Sequence, residues 1–267
     1  MKKAYTTHEH AYRKLKARGQ GSWNAQCVVR GRDARSPVDR EIRHFLADML
    51  RQPWSPRRGR AIELGCGTGP ILRWLHGKGF TGMGIDVSRT AIAMARTQSR
   101  GLGLRFVQGD VCAPRCRRHG VFDLVVDGHC LHCVLAPRDR KAFLENARSL
   151  LRPGGVLIVL SMCAPVDRRT LARVIPGQKL VGRLLYVPWE GAHAYEQSRL
   201  LGNTWHPPTR HVAAWSSILK EVEAAGFSVQ RCLHDRPWGD DPFGTLCLAA
   251  TPNPLFTVSR TTGAVAR

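Results

Sequence analysis

A glycine-rich segment and two nearby acids have the types and spacing to bind a ligand that carries both a cation and a ribose. The segment Glu63-Leu64-Gly65-Cys66-Gly67-Thr68-Gly69 lies where a short apolar run gives way to a helical pattern. Glycines permit a sharp turn and a close approach of the backbone to a ligand. Asp86 ends the next apolar run, where an acid can hold ribose hydroxyls. The G-x-G-x-G spacing differs from the dinucleotide pattern, and Glu63 suits an ammonium or sulfonium group better than a pyrophosphate.

A second group of reactive residues, Asp127-Gly128-His129-Cys130-Leu131-His132-Cys133, follows the fourth predicted strand. Ligands of α/β sheets bind at the carboxyl ends of strands, so this segment is predicted to face the reacting group. Three roles stay open. His129 or His132 is a general base for an oxygen or nitrogen nucleophile, or the thiols and imidazoles bind a metal or a soft metalloid substrate, or the cluster is packing.

The cysteine positions argue against a zinc site. Cys163 ends the fifth predicted strand, beside the fourth, and is expected to join Cys130 and Cys133. Cys112 and Cys116 follow the third strand, three positions away and roughly 14 Å distant at ordinary strand spacing. A four-thiol site is therefore not expected, no metal is predicted, and Cys66 is interpreted as a small packed residue. The cysteines are expected to be free thiols.

Five motifs in order resemble the class I S-adenosylmethionine-dependent methyltransferases, most strongly over residues 38–163. They are Glu63–Gly69, Gly84-Ile85-Asp86-Val87-Ser88, Gln108-Gly109-Asp110-Val111, Phe122-Asp123-Leu124-Val125 and Leu151-Arg152-Pro153-Gly154-Gly155. The resemblance implies an α/β, Rossmann-like fold, with a seven-stranded, mostly parallel sheet of order 3-2-1-4-5-7-6 and helices on both faces. The last strand would be antiparallel.

The resemblance also implies the cofactor S-adenosylmethionine and a role for each matching residue. Glu63 would lie near the methionine ammonium, Gly65 and Gly67 under the cofactor, and Asp86 on the ribose hydroxyls. Asp110 would hold the adenine amino group, with Val87 and Val111 near the ring. Asp127 completes the cofactor set, and Leu131-His132 matches a pair found in many small-molecule members.

Alternating strand and helix patterns predict how these segments are positioned. Strands are predicted at 60–64, 81–85, 104–107, 122–126, 156–161, 227–233 and 245–250. Helices are predicted from 36 to 52, 70 to 76, 88 to 95, 138 to 151 and 212 to 225. This alternation implies right-handed crossovers and a parallel sheet.

The remaining segments are expected to cover the site. Residues 1–35 form an N-terminal arm or lid, with Tyr12 and Trp23 closing over the cofactor. Residues 36–252 form the methyltransferase domain, and residues 253–267 a loose tail. Residues 164–211 are an insertion that caps the substrate. Its possible pocket residues are Tyr186, Trp189, Tyr195, Trp205, His206, Arg210 and His211.

Composition narrows the function without naming an acceptor. The chain has 267 residues and a formal net charge of +21. It has neither an apolar run of membrane length nor a secretory pattern, so a cytoplasmic location without a membrane partner is expected. We expect methyl transfer to a small molecule. The alternatives are an RNA methyltransferase, suggested by the charge, a methyltransferase for a thiol or metalloid, and a non-enzymatic cofactor-binding regulator. The oligomeric state is left open.

Overall fold

The computed structural model describes residues 1–21, 37–188, 195–239 and 241–255. Trp23, Trp189 and the tail beyond residue 255, for which a lid, a pocket and a loose segment were expected, lie outside the described residues. Within the described ranges, no helix has the length and apolarity needed to cross a membrane.

A seven-stranded sheet forms the centre of the structure, in the order β11-β12-β5-β4-β1-β2-β3. Its strands are β1 (Gly59–Leu64), β2 (Phe80–Asp86), β3 (Arg105–Gln108), β4 (Phe122–Gly128), β5 (Leu151–Val166), β11 (Phe227–Asp235) and β12 (Phe243–Pro252). β12 runs antiparallel to both of its neighbours, while the β5-β4-β1-β2-β3 pairs are parallel. This order confirms the predicted 3-2-1-4-5-7-6 arrangement.

Helices cover both faces of the sheet because successive strand residues point to opposite sides. The described helices are α1 (Thr7–Ala17), α2 (Pro37–Met49), α3 (Pro70–His76), α4 (Arg89–Gln98), α5 (Pro137–Ser149), α6 (Arg168–Val174) and α7 (Trp215–Ala224). In β4, Leu124 and Val126 pack with α2, α3 and α4, whereas Val125 packs with α5 and α7. The sheet is therefore buried between two helical layers.

The segment that interrupts the alternation forms small sheets of its own. β6 (Lys179–Val181), β7 (Leu184–Tyr186) and β10 (Pro208–His211) make a three-stranded antiparallel sheet, and β8 (Arg199–Leu201) pairs with β9 (Thr204–His206). A separate apolar cluster joins this region to the start of β12. Its buried members are Leu171, Leu185, Val212 and Phe243.

Two element boundaries differ from the sequence expectation. β5 begins at Leu151 rather than 156 and includes Pro153-Gly154-Gly155, with an irregular register between the Phe122–Leu151 and Leu124–Val156 pairs. Proline and glycine mark bulges as well as turns. α7 begins at Trp215 rather than 212, because Val212 N–H and Ala213 C=O are engaged in hydrogen bonds to Arg183 and Ala164.

The register brings the carboxyl ends of the central strands to one edge. Leu64 at the end of β1 pairs with Ile85 of β2 and with Asp127 of β4. Asp86 at the end of β2 pairs with Gln108 of β3. The glycine-rich turn, Asp86 and the segment after β4 consequently meet at the same edge.

Candidate active site

The glycine-rich turn lies between β1 and α3. The N–H groups of Gly65 and Cys66 both donate to the carbonyl of Ile85, at 2.8 and 2.9 Å. Gly65 and Gly67 have φ values of 69° and 52°, which favour glycine. A Cβ at Gly67 would overlap the Tyr12 hydroxyl, so glycine is also needed for that side chain to approach.

Two acids at the ends of β2 and β3 are held by hydrogen bonds. Asp86 is buried, and its two carboxylate oxygens accept the N–H groups of Gly67 and Ser88, each at 2.8 Å. Burial raises the pKa of Asp86. Asp110 accepts the Tyr5 hydroxyl at 2.9 Å and the N–H of Cys112 at 2.8 Å. Both carboxylates therefore have fixed orientations toward the cavity they line.

Glu63 is a buried acid beneath the same turn. Its Oε2 accepts the N–H of Leu72 at 3.1 Å, a donor in the first turn of α3 that has no partner within the helix. Burial nevertheless raises the pKa of Glu63 to about 8. The structure thus keeps an acid in an environment that disfavours its charge, which is typical of a site for a cationic ligand.

The N-terminal segment covers this part of the site. Tyr5, His8 and Tyr12 all line the cavity. Glu9 fixes α1 by accepting hydrogen bonds from the hydroxyl of Ser88 at 2.7 Å and from the N–H of Thr90 at 3.1 Å, at the start of α4. Burial of Glu9 opposes these bonds, but together they lower its pKa to about 2. Tyr12 thus lies against the glycine-rich turn at the cavity, while closure of the arm over a cofactor stays a prediction.

Asp127 organises the segment after β4. It is fully buried and accepts the N–H groups of Cys130 at 2.6 Å and Leu131 at 3.2 Å. Burial raises its pKa to about 7 against the opposing effect of these bonds. Asp127 does not line the cavity, unlike the seven other residues assigned to the cofactor. Its geometry therefore favours positioning of the loop over contact with a ligand.

Arg140 of α5 supports the same segment from behind. Its Nη1 donates to the carbonyls of Leu131 at 2.6 Å and Val134 at 3.0 Å, and its other nitrogens pair with Glu221 of α7. The side chain is 3% exposed. No sequence pattern indicated this role, because Arg140 lies on a helix whose pattern is otherwise amphipathic.

His129 and His132 both line the cavity, with ring centroids 5.5 Å apart. The Nδ1 atom of His132 accepts the N–H of Met162 at 3.2 Å. Both ring nitrogens of His129 are buried and have no hydrogen-bond partner among the described residues. His129 also has a φ of 72°, which is uncommon outside glycine. Burial lowers the pKa of each imidazole to about 4, so both are neutral near pH 7.

The cysteines are arranged differently from the sequence expectation. Cys112, Cys130 and Cys133 line the cavity, but Cys163 does not: it is fully buried in the hydrophobic core. The expectation that Cys163 joins the others was wrong, because its β5 neighbour Met162 takes the side of the strand that faces the cavity.

Cys112 reaches the cavity because its segment bends after β3. The side-chain amide of Asn146 on α5 donates to the carbonyls of Val111 and Ala113, at 2.8 and 3.1 Å. Among the described residues, no group of three or more His, Cys, Asp or Glu side chains is arranged to hold a metal ion.

The insertion contributes a cation and apolar surface to the cavity. Arg210 of β10 lines it together with Val174 and Ile175. The described aromatic residues proposed for this role do not: Tyr186 is buried elsewhere, Trp205 is 41% exposed, and Tyr195 also lies outside the lining. His206 and His211 are absent from the lining as well.

The resulting cavity has a volume of about 340 Å³. This falls within the usual size range of small-molecule sites. Seven residues assigned to the cofactor and both candidate histidines share it. Residues that sequence reasoning missed come from distant segments, and only their apolar or basic character hinted at a role. They are Tyr5, His8, Ile42, Ile71, Met162, Val174, Ile175, Phe243 and Thr245.

Comparison with known proteins agrees with this geometry. Residues 62–159 match a family model described as a methyltransferase domain. A ubiquinone biosynthesis O-methyltransferase of Sinorhizobium medicae is 29% identical over 161 residues, covering 60% of this chain and 61% of that protein. A ribosomal RNA small subunit methyltransferase C of Alcanivorax borkumensis is 36% identical over 107 residues, covering 37% of this chain and 31% of that protein. The chain thus spans less than two thirds of the length of each relative.

The fold has a counterpart among solved structures. A complex of DhpI with SAH has a TM-score of 0.58 and 20% sequence identity, and the match covers 94% of this chain and 97% of that chain. At that level of identity the match concerns the fold.

Proposed function

Because the chain belongs to the class I S-adenosylmethionine-dependent methyltransferases, we propose that it methylates a small molecule at an oxygen or nitrogen atom. One observation carries the proposal. A single cavity holds the turn and acids expected for the cofactor, and it also holds His129, whose two buried ring nitrogens have no hydrogen-bond partner among the described residues. The name of the Sinorhizobium medicae relative, an O-methyltransferase in ubiquinone biosynthesis, supports a small-molecule acceptor.

The residues present fit the cofactor. The ammonium group of its amino acid part requires negative charge nearby, and Glu63 is a buried acid in the cavity wall. Asp86 and Asp110 offer carboxylate oxygens suited to hydroxyl and amino groups, and Val87 and Val111 offer apolar surface next to them. This is the donor set that the ammonium, ribose and adenine call for.

When bound, S-adenosylmethionine supplies a methyl group activated by its positive sulfur. The protein's task is then to bring the acceptor atom into line with that group and to exclude water. An acceptor that arrives as a hydroxyl group would need a base in the cavity to take its proton during or before attack, whereas a neutral amine could lose its proton afterwards.

His129 is better placed than His132 to take this proton. The Nδ1 of His132 accepts the N–H of Met162, so in the neutral ring Nε2 carries the hydrogen and is a donor. His129 has no such constraint, because neither ring nitrogen has a partner among the described residues. Its positive φ costs about 1–3 kcal/mol, and such strain is concentrated at functional sites.

An RNA methyltransferase is the second candidate. The net charge of +21 favours a polyanion, and the Alcanivorax borkumensis relative is named for ribosomal RNA. Such binding would weaken steeply with salt. The small-molecule proposal is preferred because the two histidines lie within a cavity rather than on an open surface.

Transfer of labelled methyl from S-adenosylmethionine to a lysate separated into small-molecule, RNA and protein fractions tests both candidates. We expect label in the small-molecule fraction. Label confined to RNA would favour the second candidate. Cofactor binding without transfer to any fraction would favour a regulator.

A further inference from the structure

The charges that line the cavity are divided between its two sides. Glu63, Asp86 and Asp110 come from the ends of β1, β2 and the segment after β3. Arg210, from the insertion, is the sole Lys or Arg among the described lining residues. Asp241 also belongs to the lining, and its carboxylate accepts the N–H of Phe243. The cofactor side is thus acidic, whereas the insertion contributes a permanent cation.

The Arg210 guanidinium is held in place at the cavity wall. Its Nη1 donates to the carbonyl of Thr209 at 2.7 Å and to the Nε2 of His8 at 3.4 Å. Its charge helps to lower the pKa values of His8, His129 and His132, after the larger effect of burial. Arg210 and the histidine proposed as base line the same cavity.

The cavity that Arg210 lines also has apolar surface from neighbouring elements. Val174 and Ile175 at the end of α6, Met162 of β5 and Phe243 of β12 all line the cavity. A guanidinium in such surroundings interacts more strongly with an anion than one in water, because the local dielectric constant is lower. Its planar fork also matches the geometry of carboxylate and phosphate groups.

We propose that the acceptor is a small molecule with an anionic head group on an apolar frame, and that Arg210 binds the head group while the frame lies against Met162, Ile175 and Phe243. This rests on the proposed small-molecule methylation, which it deepens. The acids of the opposite side would repel such a head group and so help to orient the acceptor.

A different explanation for Arg210 is that it balances a thiolate. Burial alone would raise the pKa of Cys133. The opposing effects of the Arg210 charge and the His132 ring are larger together, so the pKa of Cys133 falls below its ordinary value. If this were the whole role of Arg210, the wild type would show no preference for anions, and Cys133→Ser, which removes the competing thiolate, would create one.

Binding of matched acids and esters separates these explanations. The protein is saturated with S-adenosylhomocysteine, and calorimetry measures the dissociation constants of benzoate, 4-hydroxybenzoate, 2-naphthoate and phenylphosphonate. The neutral methyl or dimethyl ester of each acid provides the matched probe. At least one acid should bind about 10- to 100-fold more tightly than its ester, the range given by hydrogen bonds to charged groups.

Three variants assign that preference. Arg210→Met should remove it, Arg210→Lys should retain part of it, and Cys133→Ser should leave it intact. Arg183→Met is the matched control. It removes one positive charge from the turn between β6 and β7 of the same small sheet, outside the cavity lining. Its preference should equal that of the wild type.

The proposal is overturned if no acid binds, if esters bind as well as acids, or if Arg210→Met keeps the preference. A preference that appears only in Cys133→Ser, or equal loss in Arg183→Met, would also contradict it. The same titrations report S-adenosylhomocysteine affinity. Failure to bind that compound would count against the methyltransferase proposal itself, whereas intact cofactor binding without anion preference would count against the role of Arg210 alone.

Discussion

The two sides of the cavity are built in different ways. On the cofactor side, each acid lies within a few residues of a strand end, and the polypeptide around it supplies its donors, as Gly67 and Ser88 do for Asp86. On the acceptor side, His129 has no hydrogen-bond partner among the described residues, and Arg210 reaches the cavity from an insertion far along the chain. The acids of the first side are held mainly by backbone N–H groups, whereas the second side depends on the packing of side chains from distant segments.

This difference separates what every member of the family needs from what a particular acceptor needs. A turn that binds one constant cofactor can be encoded by short motifs, because hydrogen bonds within the turn fix its shape. A pocket for a variable acceptor must be assembled from whichever segments the fold brings near. Replacing residues of each side should therefore give separable losses: binding on one side, turnover on the other.

The largest effect is expected for His129. Asparagine tolerates the left-handed backbone of this position but lacks a basic imidazole. His129→Asn should lower turnover about 10²- to 10⁴-fold, the usual contribution of a general base, and leave S-adenosylhomocysteine affinity unchanged. Turnover is measured as labelled methyl transfer to the fraction that the wild type methylates.

His132→Asn is the matched control for that experiment. The asparagine amide oxygen can accept the N–H of Met162 as Nδ1 does, so we expect turnover to fall by no more than about ten-fold. Cofactor affinity should fall by less than turnover. A greater loss in His132→Asn than in His129→Asn would assign the base to His132. Equal loss of binding and turnover would indicate a structural role.

Asp86→Ala tests the other side. The substitution removes a carboxylate that two buried N–H groups require, and that the ribose is proposed to contact. Affinity for S-adenosylhomocysteine should fall about 10- to 100-fold by calorimetry, the range for hydrogen bonds to a charged group. Asp48→Ala, which removes contacts to Arg51 and Gln52 outside the cavity lining, should bind normally. Unchanged affinity in Asp86→Ala would refute the ribose assignment.

Glu63→Gln should separate stability from binding. Burial raises the pKa of Glu63 from 4.5 to about 8, so the folded protein holds a proton that the unfolded chain releases above pH 4.5. The wild type therefore loses stability as the pH rises from about 4.5 to 8. The glutamine variant avoids this loss and should be more stable at pH 8.5, on the order of a few kcal/mol in urea unfolding, with little difference at pH 4.5.

The same variant should bind the cationic cofactor less well. In the wild type, ionisation of Glu63 near pH 8 adds attraction, so the affinity ratio of wild type to variant should increase with pH. The cofactor and Asp127 also ionise in this pH range, since burial raises the pKa of Asp127 to about 7. Taking the ratio removes the pH dependence of affinity that wild type and variant share. A ratio that is constant from pH 6 to 9 would show that Glu63 does not face the cation.

The two sides also differ in how far the sequence predicted them. The strand order was predicted correctly from five short motifs, and seven of the eight residues assigned to the cofactor line the cavity, although their contact with the cofactor stays a prediction. Asp127 is the exception: it lies outside the cavity lining and accepts the N–H groups of Cys130 and Leu131, so its assignment to the cofactor stays a prediction. Cys163 was misjudged by one position in β5. Arg210 was named, but no pattern distinguished it from His206 and His211.

The smallest effect is expected where the two sides share a cover. Glu9 ties α1 to the start of α4, and α1 carries both Tyr12, over the turn, and His8, against Arg210. Glu9→Gln keeps an acceptor but removes the charge that favours this helix N-terminus, so α1 should dock less firmly. We expect faster hydrogen exchange in residues 7–17 and a few-fold faster release of S-adenosylhomocysteine. Arg13→Ala removes only an exposed contact to Glu9 and should change neither. If Glu9→Gln speeds exchange but not release, then α1 packs beside the cofactor without retaining it, and the cover belongs to the acceptor side alone.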